Sequence, residues 1–370
     1  MNVHSTDTGT REKILVTRSF LPPRAEYDRY LDRIWQSHHL TNNGPLVQEL
    51  EARLKKELDA RHLFFMGNGT IALQIAIKAL GLKGEIITTP YSYVASTTSI
   101  LWEGCTPVYA DIDARTCCID PARIEERITE HTSAILATHV YGTACDVEAI
   151  ETIADKHGLK VIYDGAHAFG SHYKGRSLMT FGDITTGSFH ATKIFHTIEG
   201  GCIVARDADI AHNVLMMRQF GHANDDHMMV GVNGKNSEFH AAMGLCVLDH
   251  FREILADRRE QWQRYAAAFA EHGSCSILRV DPSVEYNHSY FPLVLDSHAR
   301  MVAVQKALLA EDIVPRRYFF PSLDELAYLE HAHACPVSRS LSERVLCMPL
   351  YHGLPHHQQE RVITIIRGAL

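Results

Sequence analysis

Between residues 62 and 205, short apolar runs alternate with helical segments, and that alternation leaves few architectures open. The strand candidates are His62–Met66, Glu85–Thr89, Pro107–Ala110, Ala134–Thr138, Lys160–Asp164, Ile184–Phe189 and Cys202–Ala205. Helical patterns near Thr70–Leu80, Val94–Glu103, Pro121–Ile128 and Asp146–His157 separate the earlier ones. This α/β rhythm predicts a mainly parallel, seven-stranded sheet covered on both faces. Upstream, Leu46, Leu50, Leu54 and Leu58 fall on one face of a helix over Pro45–Leu58, with Thr41–Gly44 as its cap and proline in its first turn. The sheet pattern stops near Arg206. Ser237–Phe251 reads as a helix running on through Phe269, and a strand at Ser289–Val294 and a helix at Ala299–Ala310 suggest a smaller α+β unit. The expected organisation is a large domain over 12–248 and a small C-terminal domain over 249–370. An N-terminal arm, 12–40, crosses to the small one.

Composition narrows the function. At 370 residues the chain can bury a substantial core, and 46% hydrophobic with 22% charged residues is ordinary for a globular protein. A formal charge of -8 argues against dependence on nucleic acid or an anionic membrane surface. Met1–Thr8 has no apolar core of the kind a secretory signal needs, and no apolar run reaches transmembrane length, so a cytoplasmic protein is expected. Nine scattered cysteines without a Cys-x-x-Cys pair fit reduced thiols. The 24 histidines show no metal-ligand spacing, and no metal is expected.

In such sheets ligands sit beyond the carboxyl ends of the strands. Three motifs emerge there. Gly67-Asn68-Gly69-Thr70 follows a strand and opens a helix, so backbone N–H groups and the helix N-terminus can hold a phosphate. The same letters fit a dinucleotide fingerprint, but the second strand runs Ile86-Ile87-Thr88-Thr89-Pro90, without the acid that would hold a ribose. An ordinary strand–helix turn is the plain alternative. Asp164 ends an apolar strand; it suits a helix cap or, more specifically, the nitrogen of a pyridine ring, which a carboxylate keeps protonated. Lys193 lies 29 positions later, among small and hydroxyl residues, where partial desolvation would free its amine to form a Schiff base. Taken singly, Lys193 would be a surface charge. In this order the three point to pyridoxal 5'-phosphate (PLP), with Ser188 offering a hydroxyl to its phosphate.

Ser188-Phe189-His190-Ala191-Thr192-Lys193, followed by Glu199-Gly200-Gly201, resembles the lysine motif of the DegT/DnrJ/EryC1/StrS family. Asn68–Leu73, Val108–Asp113, His139–Gly142, Asp164–Ala168, Pro315–Pro321 and Cys347–Tyr351 also fall in that family's order. The resemblance covers nearly the whole chain. It implies an aspartate-aminotransferase-like fold (PLP fold type I) and amino transfer to a nucleotide sugar. It further implies that Lys193 binds the cofactor covalently, that Asp164 meets the pyridine nitrogen, and that Ser188, Gly69 and Thr70 hold the phosphate. Tyr93 would stack on the ring, with Tyr91 as fallback, and His167 would contact the ring or its phenolic oxygen. Gly231-Val232-Asn233 resembles a segment whose asparagine reaches the neighbouring subunit's phosphate, which would make a homodimer with shared active sites obligatory. Asn43, His190, Arg316 and Tyr318 are the candidates for substrate contact, and His196 also flanks the lysine.

The resulting expectation is ping-pong transfer of an amino group from L-glutamate to a nucleotide-linked keto sugar. The surroundings of Lys193 are most similar to enzymes that aminate C4 of a dTDP-4-keto-6-deoxyhexose; C3 amination is the nearest alternative. Deoxyamino sugars of this kind serve surface polysaccharides such as lipopolysaccharide O-antigen, and amino-sugar antibiotics. A PLP-binding regulator without turnover is a different class. A glycosyltransferase using Asp111-Ile112-Asp113 as a metal motif is a third, and it leaves Lys193 and Asp164 without a role.

Overall fold

The computed structural model describes residues 13–329 and 333–370. The Met1–Thr8 stretch and the first residue of the expected arm, position 12, lie outside the described residues.

All seven strand candidates form, most shifted by a residue or two at an end: β1 His62–Met66, β2 Glu85–Thr88, β3 Thr106–Tyr109, β4 Thr132–Thr138, β5 Lys160–Asp164, β6 Ile184–Ser188 and β7 Gly201–Ala205. They make one sheet in the order β1-β7-β6-β5-β4-β2-β3. Only β7 runs against its neighbours; every other pair is parallel. Strand side chains alternate between faces. Ile86, Leu136, Ile162 and Ile203 therefore pack on one side, with Leu73 and Ala76 of α3 (Gly69–Ala79) and Val214 of α7 (Ala208–Met217). Ile87, Ile135, Val161 and Tyr163 pack on the other, with Val147, Ile150 and Ala154 of α6 (Val147–His157). After β3 the chain returns to the far side of β2, so the strand order reverses between β2 and β4, where such sheets open a crevice at their carboxyl ends.

The amphipathic reading of α2 (Pro45–Leu58) holds: Leu46, Leu50, Leu54 and Leu58 are all buried. Its cap differs from expectation. Gly44 is the N-cap and provides no side chain. The buried carboxylate of Glu238, 192 residues from Leu46, instead accepts the N–H groups of Leu46 and Val47 at 2.8 and 2.9 Å. Glu238→Ala is expected to destabilise the protein by about 2 kcal/mol, as loss of a buried charged cap does, and Glu238→Gln by about half that, read by urea unfolding.

The expected helix from Ser237 through Phe269 is two helices, α8 (Glu238–Asp249) and α9 (Phe251–Phe269). His250 between them leaves helical geometry at φ -97 and ψ 1. Glu26 holds its imidazole at 2.9 Å and Phe20 packs on it, so tertiary contacts favour the break. The helix near Pro121 is also shorter than its pattern, ending at Glu125.

Beyond α9, strands Cys275–Ile277, Pro292–Leu295 and Val345–Cys347 form an antiparallel sheet. Tyr265, Phe269, Leu293, Met301, Leu308, Val362 and Ile366 make a separate apolar core there. Ile14–Leu15 pairs in parallel with Ile313–Val314, and Ile14 is buried in that same core. All nine cysteines are free. Among the described residues no helix is long and apolar enough to cross a membrane.

Candidate active site

Strand register assembles the site. Thr138 of β4 pairs with Asp164 of β5, and Asp164 pairs with Thr186 of β6. Gly201 of β7 pairs with both Ser188 and Met66, which leads into the Gly67–Thr70 turn. A side chain at Gly201 would meet the Asn68 backbone at 2.7 Å, so glycine is what lets that turn lie on the sheet edge. The resulting cavity, of about 280 Å³, is lined by Gly69, Thr70, Tyr93, Asp164, His167, Ser188, His190, Lys193, Arg316 and Tyr318, with others. Ten of the twelve candidate site residues therefore share one cavity.

At one end stands a phosphate-type cradle. The Asn68 side chain caps α3 by accepting the Ile71 N–H at 2.8 Å, which places Gly69 and Thr70 in the helix's first turn. A Cβ at Gly69 would sit 3.0 Å from the Ser188 Cβ, so the bare turn and the serine hydroxyl meet closely. A helix N-terminus with a hydroxyl beside it matches a dianion.

Deeper in the cavity lie two opposite charges. Asp164 accepts the Ser96 hydroxyl at 2.8 Å and the Ala166 N–H at 3.0 Å. Burial lowers the Lys193 pKa from 10.5 to about 8, while Asp164 pulls it back upward. Roughly one amine in ten is then unprotonated at pH 7, against about one in several thousand for an ordinary lysine. Covalent capture of an aldehyde by the apoprotein is expected to speed up tenfold per pH unit below about 8 and to level off above it. Rapid mixing with PLP at several pH values measures this. Unfolded lysine keeps its ordinary pKa, so between about 8 and 10.5 the unfolded chain binds the extra proton. The stability of the apoprotein should accordingly rise with pH through that window, by at most about 3 kcal/mol.

His167 is buried, and its Nδ1 accepts the Tyr141 N–H at 3.1 Å, which leaves the hydrogen on Nε2. Burial, and then Lys193, push its pKa well below the ordinary value, so the ring is a neutral donor at physiological pH. Tyr93 is 59% exposed and lines the cavity mouth. Tyr91, the fallback, is fully buried outside the cavity; its hydroxyl meets that of Tyr141 at 2.7 Å and the Tyr318 carbonyl at 3.1 Å. Tyr91 supports the Tyr318 segment instead. His196 is likewise buried, with Nε2 on the Phe20 carbonyl at 2.7 Å, and serves the arm. His190 stays near the surface, bonded to Thr192 at 2.8 Å. The Arg316 guanidinium lies over the Tyr318 ring at 4.9 Å and has no ion pair among the described residues, which leaves a cation facing the cavity.

Two candidates do not reach this cavity. Asn43 precedes α2, with Oδ1 3.5 Å from Arg218, and Asn233 is exposed beside Gln219. The acids at 111 and 113 are structural: Asp111 caps the helix Pro336–Arg344 through Val337 and Ser338, and Asp113 holds Arg115. No group of three metal-ligating side chains gathers among the described residues. Ser92, Ser96 and Thr138, which surround Asp164, had no motif to announce them.

The profile of the DegT/DnrJ/EryC1/StrS aminotransferase family matches residues 23–367. A dTDP-4-amino-4,6-dideoxy-D-glucose transaminase of Shigella dysenteriae is 41% identical over 96% of this chain and 98% of its own. One of the same name from Escherichia coli is 37% identical over 96% and 99%. The crystal structure of DesI in the presence of its TDP-sugar product superposes with a TM-score of 0.92 at 34% identity, covering 96% of this chain and 92% of DesI.

Proposed function

The chain belongs to the DegT/DnrJ/EryC1/StrS aminotransferase family, and we propose that it moves an amino group from L-glutamate to C4 of dTDP-4-keto-6-deoxy-D-glucose. The observation that carries this reading is a lysine of lowered pKa facing a buried carboxylate, with a helix-N-terminal phosphate cradle in the same cavity. Such a donor set fits PLP, the family's cofactor. When bound, PLP carries the amino group between the two substrates and withdraws electrons from the reacting carbon.

The protein's own residues do the rest. Gly69, Thr70 and Ser188 would hold the phosphate, and Asp164 would keep the ring nitrogen protonated. Tyr93 at the mouth would cover the ring, and the His167 Nε2–H would be a donor for its phenolic oxygen. Lys193 anchors the cofactor and, once displaced, its Nζ takes the Cα proton of glutamate; the neutral amine that burial favours is the form able to do so. Arg316 and Tyr318 orient the diphosphate or sugar, with His190 as an outer contact.

Completion of the site by a second subunit belongs to the same proposal. Phe220, Met228, Val230 and Val232 are exposed around Asn233, an apolar surface that suits burial in a homodimer and would carry Asn233 to the partner's phosphate. The division into a cofactor domain over 12–248 and a small domain over 249–370 is part of this reading, as is a cytoplasmic role in deoxyamino-sugar supply.

The test uses PLP-loaded protein. L-glutamate alone should release one 2-oxoglutarate per site, and subsequent dTDP-4-keto-6-deoxy-D-glucose should yield an amine that NMR places on C4. Absence of 2-oxoglutarate would point to another amino donor or to the regulator class, and an amine formed only from the 3-keto isomer would move the reaction to C3.

A further inference from the structure

Asp164 is held by an unusual set of partners. The Ser96 hydroxyl donates to Asp164 Oδ2 at 2.8 Å, Ser92 and Ser96 hydroxyls lie 2.8 Å apart, and Ser92 lies 3.1 Å from the Thr138 hydroxyl. All four side chains are buried: Ser96 is 0% exposed, Ser92 and Thr138 2%, and Asp164 6%. They come from separate parts of the chain, Thr138 from the end of β4, Ser92 from the turn after β2, Ser96 from the helix Val94–Trp102 and Asp164 from β5.

The proton order in this chain is forced. A carboxylate has no hydrogen to give, so Ser96 spends its one hydrogen on Asp164 and must accept from Ser92. Ser92 then has none left for Thr138 and must accept from it. Three O–H dipoles point the same way, toward the carboxylate, and each strengthens the next. Helix packing does not require this. Thr98, two residues on, turns its hydroxyl back to the Val94 carbonyl of its own helix at 3.1 Å, the ordinary choice for a hydroxyl in a helix. Ser96 instead reaches across to another element.

We propose that Thr138, Ser92 and Ser96 form a one-way hydroxyl relay that holds and aims the Asp164 carboxylate, with Ser96 as its positioning residue. The proposal rests on the reading of Asp164 as partner of the cofactor's ring nitrogen. A carboxylate stripped of its donor is a stronger base and competes for the ring proton. With the ring less positive, the Lys193–cofactor linkage would lose its own proton at higher pH.

Ser96→Ala and Thr138→Val remove one hydroxyl each, the second without changing side-chain shape. The experiment titrates the visible absorbance of the PLP-loaded proteins against pH and measures the PLP dissociation constant of the apoproteins and their melting temperatures. Ser96→Ala should raise the absorbance midpoint by about one pH unit and weaken PLP binding about tenfold, the scale of a hydrogen bond to a charged group. Thr138→Val should shift the midpoint in the same direction by less, with melting little changed. A Ser96→Ala protein that titrates like the parent but melts lower would make Ser96 a packing residue and overturn the relay. A shift in Ser96→Ala with none in Thr138→Val would also overturn it, leaving one serine acting alone. If the parent itself developed no visible absorbance with PLP, the reading of Lys193 and Asp164 would fall, and the relay with it.

Discussion

Replacing Lys193 by arginine is expected to abolish the visible absorbance that PLP develops with the protein and to lower turnover by about 10⁴ or more, the combined loss of a covalent anchor and a proton carrier. The substitution separates charge from chemistry. Arginine keeps a cation opposite Asp164, so the electrostatic pairing inside the cavity survives in sign. It cannot supply a neutral amine, because a guanidinium does not deprotonate in a protein. The site around position 193 is built to do the reverse: burial brings the lysine to about 8, within reach of neutrality at physiological pH. Melting temperature and cofactor-independent circular dichroism should stay close to the parent's. Survival of both the absorbance and full turnover would end the assignment of Lys193.

What the chain reveals on reading depends on whether a feature is local. The seven strands and α2 are legible because each carries a local signal, an apolar run in the strands and a four-residue leucine spacing in α2, and burial in the fold follows it. Lys193, Asp164 and Ser188 are legible because parallel strands deliver their carboxyl ends to one edge, so order along the chain becomes proximity in space. The break at His250 is not local. Its causes, Glu26 and Phe20, lie more than 200 residues upstream, and nothing in a continuous helical pattern announces them. The same is true of Glu238 capping α2, and of Asp111, which has the look of a metal motif and is a helix cap.

Tyr91 and Tyr93 show the limit inside a motif. Both stand in one turn, and only the backbone path sends the first into the core and the second to the cavity. Serine and threonine are harder still. Ser92, Ser96 and Thr138 have no required spacing, since three segments bring them together. A family resemblance transfers the residues that touch ligand, and leaves the residues that aim those residues to the structure.

Asp164→Asn carries the second large effect and tests charge at constant shape. The half-reaction with L-glutamate is expected to slow by roughly 10² to 10³, as when a preorganised charge is removed from an active site, while Lys193 still captures PLP. The variant should fold. Asp164 presently accepts from Ala166 through one oxygen and from Ser96 through the other. An asparagine can keep its oxygen on the Ala166 N–H and turn its amide to Ser96, which then donates to Ser92, and Ser92 to Thr138, so the hydroxyl chain reverses without losing a bond. Lys193 gives a second readout of opposite sign. Asp164 at present raises the lysine's pKa against the effect of burial, so its neutralisation should move the midpoint of PLP capture below about 8. Capture would thus become easier at neutral pH while the chemistry that follows became slower. Loss of fold would depress both, and an idle carboxylate would leave both unchanged; only a carboxylate that holds the ring proton and also faces the lysine separates them.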